Sequence, residues 1–365
     1  MAALPVAERD PAQLDSLLRE LADVVKGHRL CINFRSLNSV LVGDAEPIHT
    51  AEERLWHVGP GTRFITTFDV QSAYLNIPMR PEDIPKTAFG TSHGLFAFTR
   101  MPFGLANAPA VMHRAVARVV EGTGAVGYFD DILAASASWS AHVRLVRRVL
   151  RNVIATGFKL NRAKCAFARP EAVWVDRHIS ADGLRKSPDK LDEVRDFPVP
   201  TCTKELMAFL GLAGYYRSFV SGYSEMERPL SALRRKGVKW HWGEAEQAAF
   251  VRLKAAILQD VVLAAPDWTK PFTIATDASK HALGGVLSQP DSAEQLRPIC
   301  FAGRALSPAE TRYSATEREL LGVVWAVKHW HRYIVGTRFI VLTDHRNLLW
   351  LFRHEHDCGR VARWV

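Results

Sequence analysis

A chain of 365 residues is long enough for two or three cores. Its 48% hydrophobic content is that of a globular protein, and no run approaches the ~18 apolar residues of a membrane span. Lys and Arg number 47 against 38 Asp and Glu; the net charge of +9 permits an acidic partner without requiring one.

The first 25 residues carry Leu14, Leu17, Leu18, Leu21, Val24 and Val25 at helical spacing, which predicts an amphipathic helix. No secretory leader is legible there, so secretion is not expected. The five cysteines, Cys31, Cys165, Cys202, Cys300 and Cys358, are odd in number and contain no Cys-x-x-Cys. That argues against a disulfide framework and a zinc knuckle, and for a reducing compartment.

Phe64–Phe68 is a β-rich run ending on Asp69. Further on, Ala125–Phe129 and Ile132–Ala135 read as two short strands joined by an acidic tip, Asp130-Asp131. Adjacent carboxylates repel, and beside a hydrophobic sheet at least one is better protonated. A bound divalent cation removes that penalty, so the pattern asks for Mg²⁺, with Asp69 as a third carboxylate. Taken alone, Asp130 and Asp131 fit a solvated acidic turn equally well.

Between Ser140 and Pro170 lie eight basic residues and no acidic one. A helix over 143–154 would bury Leu145, Val146, Val149, Val153 and Ile154, with Arg144, Arg147, Arg148 and Arg151 solvated opposite. Pro188, Pro198 and Pro200 predict a linker. Thr201 or Thr203, with Glu205, predicts the cap of the next helix, whose Leu206, Phe209, Leu210 and Ala213 share a face.

The last third reads as strands over 272–277, 284–288, 298–302 and 338–344, with a helical run over 308–332. Asp277 and Asp344 each end a strand, and adjacent parallel strands would bring them together. Glu319 shares a helix face with Gly322, Val323 and Ala326, while Glu317 points elsewhere. Plainer roles are open to each: an Asx turn for Asp277, a helix cap for Asp344 and a solvated charge for Glu319.

Phe68-Asp69-Val70-Gln71-Ser72-Ala73-Tyr74 is followed by Asp83–Phe89, Met101–Pro109, Tyr128-Phe129-Asp130-Asp131, Gly157–Asn161, Phe209–Arg217 and Thr276–Ser279. In that order, from about Arg29 onward, these motifs resemble the reverse transcriptase and ribonuclease H region of gypsy-class long-terminal-repeat retrotransposon polyproteins. The resemblance implies an α+β chain: a right-hand polymerase with partial fingers, palm and helical thumb, then a ribonuclease H-like α/β domain. The corresponding segments are an atypical helix at 1–28, fingers and palm at 29–186, thumb at 187–263 and the ribonuclease H-like domain at 264–365.

It further implies RNA-directed DNA synthesis on a primed RNA or DNA template. Two Mg²⁺ per active site, or Mn²⁺ in their place, would be held by Asp69, Asp130 and Asp131. Lys164 would protonate leaving pyrophosphate, Arg29 would clamp the triphosphate, and Tyr74 would be the steric gate against ribonucleotides. Phe103, Gly104 and Tyr128 complete the implied substrate-binding set. Asp277, Glu319 and Asp344 would form a second two-metal site that cuts RNA in a hybrid. The implied partners are an RNA template, a DNA primer, an RNA–DNA hybrid and dNTPs, with no membrane. The implied location is cytoplasmic, in an element particle, or nuclear.

Several departures stand beside the resemblance. The stretch before Arg29 lacks the family's fingers strands. After Trp174-Val175 the family has a glycine where the primer backbone approaches; here Asp176-Arg177 follow, and an aspartate there is unfavourable unless Arg177 offsets it. The chain reaches Val365 without the fourth ribonuclease H aspartate or the closing helix, so hybrid cleavage is expected to be weak or absent, and Leu320, Val324 and Val327 partly exposed. The rival reading is a retroelement relic that binds nucleic acid without chemistry. A palm-type nucleotide cyclase is disfavoured by the thumb and the second carboxylate set.

Overall fold

Three layers of structure follow one another along the chain, each built on its own apolar cluster. The computed structural model describes residues 31–44, 54–55, 58–92, 94–345 and 348. The helix expected over 1–28 and Arg29 lie outside the described residues.

The first layer contains α1 (Arg35–Asn38), β1 (Phe64–Asp69), the hairpin β2 (Phe89–Thr91) and β3 (Gly94–Phe96), and α2 (Ala108–Val120). It continues through β4 (Val126–Tyr128), β5 (Asp131–Ser136), α3 (Trp139–Thr156) and β6 (Ala166–Arg169). The strands form an antiparallel sheet in the order β4-β5-β1-β6. Because side chains alternate along a strand, Phe68, Ile132 and Ala134 face α2 and α3, where Met112, Val116, Val149 and Val153 meet them. Ile65 and Leu133 face the other way, toward Trp174 and Ile179. Asp69 and Asp131 share that second face by the same alternation.

On α3 the buried stripe is Leu145, Val149 and Val153, and Ile154 is 79% exposed, contrary to expectation. One residue past Val153 the helix has turned by about 100°, which carries Ile154 over the edge of the stripe.

A meander of β7 (Ala172–Trp174), β8 (Arg177–Ser180) and β9 (Gly183–Lys186) leads into the second layer. That layer is helical: α4 (Pro188–Arg195), α5 (Thr203–Tyr215), α6 (Tyr223–Ala232) and α7 (Glu244–Leu258). Pro188 does not punctuate a linker; it opens α4, where a missing N–H costs nothing and the fixed φ suits the helix. The N-cap of α5 is Cys202 rather than a threonine, and the Glu205 carboxylate reaches back to accept from Thr201 N and Oγ1, both at 2.8 Å. Leu206, Phe209, Phe250 and Leu253 centre the helical core. Leu184 and Leu263 exchange backbone bonds of 2.8 and 2.9 Å, tying the end of this layer back to the meander. Gly183 makes that approach possible: its φ is +129°, and a Cβ there would lie 2.1 Å from the Leu263 carbonyl oxygen.

The third layer is a sheet in the order β12-β11-β10-β13, from β10 (Phe272–Ala278), β11 (Ala282–Pro290), β12 (Leu296–Ala305) and β13 (Phe339–Leu342). β13 runs parallel to β10 and the others are antiparallel. The expected helical run is shorter than 308–332. Ser314 caps α8 (Ala315–His329) by accepting from Glu317 N while the Glu317 carboxylate accepts from Ser314 N, and only a single turn at Glu310–Arg312 precedes it. A four-residue α9 (His331–Ile334) follows. Leu320 is fully buried with Val323 and Leu348, against the expected exposure, whereas Val324 and Val327 are half-buried. α6 lies across β11 and β12, and Ser279 Oγ donates to Glu225 Oε2 at 2.9 Å across that seam.

Candidate polymerase site

β1 and β5 pair so that Asp69 and Asp131 are register partners, and β4 returns so that Tyr128 pairs with Asp131. The acidic motif therefore straddles a hairpin, with Phe129 and Asp130 at the tip and Asp131 already in β5. Phe129 takes a left-handed φ of 50° to make the turn, and Val70 N donates to the Asp130 carbonyl at 3.1 Å. These bonds hold the tip against the end of β1.

Asp69, Asp131, Lys164 and residues 173–176 line one cleft. Burial, then the charges of Asp130, Asp69 and Asp176, push the Asp131 carboxyl up to about 6, with Lys164 opposing. Lys164 Nζ lies 3.7 Å from Asp69 Oδ2. Its loop is pinned there because Asn161 N donates to the Asp69 carbonyl at 2.9 Å. Hard carboxylate oxygens crowded until one resists ionising fit a divalent cation such as Mg²⁺, which would relieve that repulsion. Among the described residues, however, no three such side chains are gathered closely enough to hold a metal as they stand. Side-chain movement would have to complete the site.

Tyr74 and Phe103 meet edge to face, ring centres 5.1 Å apart. Burial and then the Asp130 charge raise the Tyr74 phenol above its usual value. Gly104 holds a φ of +93°, and its carbonyl accepts from Asn38 Nδ2 at 2.8 Å. Tyr128 packs on Phe129 and Trp174, with ring centres at 4.7 and 6.2 Å. Arg29 lies outside the described residues.

Arg177 is drawn into the helical layer. It is 1% exposed and turns inward, its guanidinium carbon 4.3 Å from the Tyr215 ring centre, 4.9 Å from Phe219 and 5.4 Å from Tyr216. Its Nη2 donates to the Tyr215 carbonyl at 2.9 Å. The sequence gives one signal for this, the aromatic pair Tyr215-Tyr216, which resembles ordinary core packing until the fold brings the pair to β8. Asp176, by contrast, does face the carboxylate cleft, half-buried.

In the second carboxylate set, Glu319 feels the charges of Asp277 and Asp344, but among the described residues no three such side chains gather closely enough to hold a metal. β10 and β13 are parallel neighbours, so Asp277 and Asp344 sit at or beyond adjacent strand ends, both exposed. Asp344 lies two residues past the shortened β13. Glu319 is 9% exposed on α8; burial first and Asp277 next raise its carboxyl, with the Ala278 N–H bonded to it and His345 opposing the rise. Glu317 is occupied in the cap of α8.

Residues 17–213, more than half of the chain, match the family model described as reverse transcriptase (RNA-dependent DNA polymerase). This chain belongs to the reverse transcriptase family. The match begins before Arg29, so the atypical N-terminal stretch does not lie wholly outside the family pattern. Residues 242–341 match an RNase H-like domain found in reverse transcriptase.

Among its relatives, the Pol polyprotein from transposon 297 of Drosophila melanogaster is 36% identical over 341 residues, covering 92% of this chain and 32% of the relative. That from transposon gypsy of the same fly is 32% identical over 352 residues, 92% of this chain and 33% of the relative. The chain thus spans about a third of the length of the curated relatives it matches, and the expected kinship with gypsy-class polyproteins is borne out.

Its fold is similar to that of a foamy viral protease-reverse transcriptase in complex with dsDNA, at a TM-score of 0.80 and 19% identity over 100% of this chain and 81% of the other. The same viral protein in complex with an RNA/DNA hybrid gives 0.74 and 21%, over 92% and 46%. At such identities the likeness is one of fold: a reverse transcriptase followed by an RNase H-like domain.

Proposed function

We propose that this chain carries out RNA-directed DNA synthesis on a primed RNA or DNA template, as part of a retrotransposon polyprotein. The observation that carries the reading is the cross-strand pairing of Asp69 with Asp131 at the foot of the Asp130 tip. Asp69, Asp130 and Asp131 would hold two divalent cations, Mg²⁺ or Mn²⁺. Such ions, when bound, lower the pKa of a primer 3′-hydroxyl and neutralise a triphosphate.

The chain's own residues do the rest. Tyr74, backed by Phe103, closes the space beneath the sugar C2′ so that dNTPs are preferred. Gly104 and Tyr128 border the template and nucleotide, Arg29 clamps the triphosphate, and Lys164 supplies a proton to leaving pyrophosphate. Asp277, Glu319 and Asp344 are proposed as the two-metal set of a hybrid-cleaving domain, with segment boundaries near residues 28, 186 and 263. Under this reading the chain works in the cytoplasm, within an element particle, or in the nucleus.

The fold shared with a viral enzyme in complex with dsDNA and with an RNA/DNA hybrid supports a nucleic-acid partner. A second reading, a relic that binds nucleic acid without chemistry, is favoured by Asp176 beside Asp131 and by the open spacing of the carboxylates. Primer extension on poly(rA)/oligo(dT) with Mg²⁺ separates the two. Extension supports the polymerase; tight duplex binding without extension supports the relic.

A further inference from the structure

The wall of the polymerase cleft opposite Asp131 is the hairpin tip between β7 and β8. Trp174 pairs with Arg177, leaving Val175 and Asp176 as a two-residue loop. Both take left-handed φ values, 46° and 54°. Such a turn suits Asn-Gly; Asp tolerates it, but a β-branched valine rarely holds that conformation unless its surroundings enforce it.

The enforcement comes from the helical layer. Tyr215, the last residue of α5, donates its hydroxyl to the Val175 carbonyl at 2.6 Å. Its own carbonyl accepts from Arg177 Nη2 at 2.9 Å, and its ring lies under the same guanidinium. One residue therefore grips the tip on both sides of Asp176. Asp176 acts on Asp131 from that tip, so where the tip sits sets both the charge beside the carboxylates and the width of the cleft.

We propose that Tyr215 is a positioning residue of the polymerase site: through its phenol and its carbonyl, the thumb helix α5 holds the strained Val175–Asp176 tip where a primer terminus must pass. The proposal rests on the polymerase reading for its functional half, since a primer 3′ end has to lie against Asp69 and Asp131. Its structural half, the clasp itself, stands on the hydrogen bonds.

Tyr215→Phe deletes only the hydroxyl and keeps the ring over Arg177. The Kd for primer–template duplex and the KM for that duplex should both rise about fivefold, the factor equivalent to about 1 kcal/mol for one net hydrogen bond. The kcat at saturating duplex and the KM for dNTP should stay within about twofold, a split that general loosening of the thumb would not produce. Amide exchange across residues 173–178 should quicken. In a Val175→Gly background, where the left-handed conformation carries no strain, adding Tyr215→Phe should do little more.

Unchanged exchange with unchanged duplex affinity in Tyr215→Phe would overturn the proposal, as would an undiminished effect in the Val175→Gly background. A wild-type chain that binds duplex without extending it would remove the polymerase reading alone. The clasp would then be decided by exchange and duplex Kd.

Discussion

Asp69 and Asp131 face each other across two antiparallel strands as register partners, with the Asp130 tip bonded to the backbone immediately after Asp69. Burial first, and then the repulsion between charges that the sheet's hydrogen bonding brings together, pushes the Asp131 carboxyl up to about 6. A fold that stores this repulsion gains from any cation that enters.

Asp130→Asn keeps the size of the side chain and removes one charge from that site. Primer extension should fall by at least ~100-fold, the scale on which electrostatic stabilisation of a transition state operates. Steady-state extension rates at saturating primer–template test this, and an active Asp130→Asn protein would place the chemistry elsewhere.

Tyr74→Ala opens the space that the Tyr74–Phe103 pair now fills. Incorporation of ribonucleotides relative to deoxynucleotides should rise by an amount equivalent to about 1–3 kcal/mol. Competing rNTP and dNTP incorporation measures it; unchanged selectivity in an otherwise active variant would mean that another side chain guards C2′.

Gly127→Ala should disturb the acidic hairpin without touching a carboxylate. A Cβ at Gly127 would lie 2.4 Å from Val116 Cγ1 on α2, so β4 or the helix has to move. Overpacking of this kind costs about 1–3 kcal/mol, and the displaced tip should slow extension as well. Denaturant unfolding together with extension assays checks both effects; full stability would show that α2 yields freely.

Lys186 gives a pH signature. It is 5% exposed, donates to the Gln259 carbonyl at 2.7 Å, and burial lowers its ammonium from 10.5 to about 8. Between about pH 8 and 10.5 the unfolded chain keeps this proton while the folded chain has released it, so stability rises with pH in that window. Below pH 8 both states hold the proton and the penalty of burying the cation is fully present. Urea unfolding of wild type and Lys186→Gln from pH 7 to 10.5 should show the difference shifting toward wild type as pH rises. A flat difference would mean that Lys186 titrates normally.

Any RNA–DNA hybrid cleavage by this chain should depend on Glu319. Glu319→Gln should lower it by at least ~100-fold while leaving primer extension unchanged. A labelled hybrid and an extension control run side by side would decide it, and retained cleavage would point to a different nuclease site.

Much of this architecture was legible because its signals are local. The β-rich run to Asp69, the apolar strands around Asp130-Asp131 and the helix face of Glu319 each follow from short-range patterning, and each lies where expected. What the residues hid depends on contacts distant in sequence. A cation at a hairpin end looks solvated, and only the arrival of α5, dozens of residues later, encloses Arg177. Pro188 looks like a breaker until α4 is seen to start on it, and Leu320 looks exposed until Leu348 covers it. Ile154 shows the opposite error, a hydrophobic side chain left in water because the stripe had already turned away.

The enclosed guanidinium also says how this protein can be taken apart. Arg177 comes from the meander and its three rings from the segment after it, with Lys186 5.1 Å from one of the same rings. A fragment ending near residue 186 would expose a cation built to be covered, and the complementary fragment would expose Tyr216 and Phe219. Palm and thumb are therefore a poor seam for dissection or for chimaeras between related elements. Exchanges that respect the physics would move residues 172–219 as one block, so that the tip, its cation and its aromatic seat travel together.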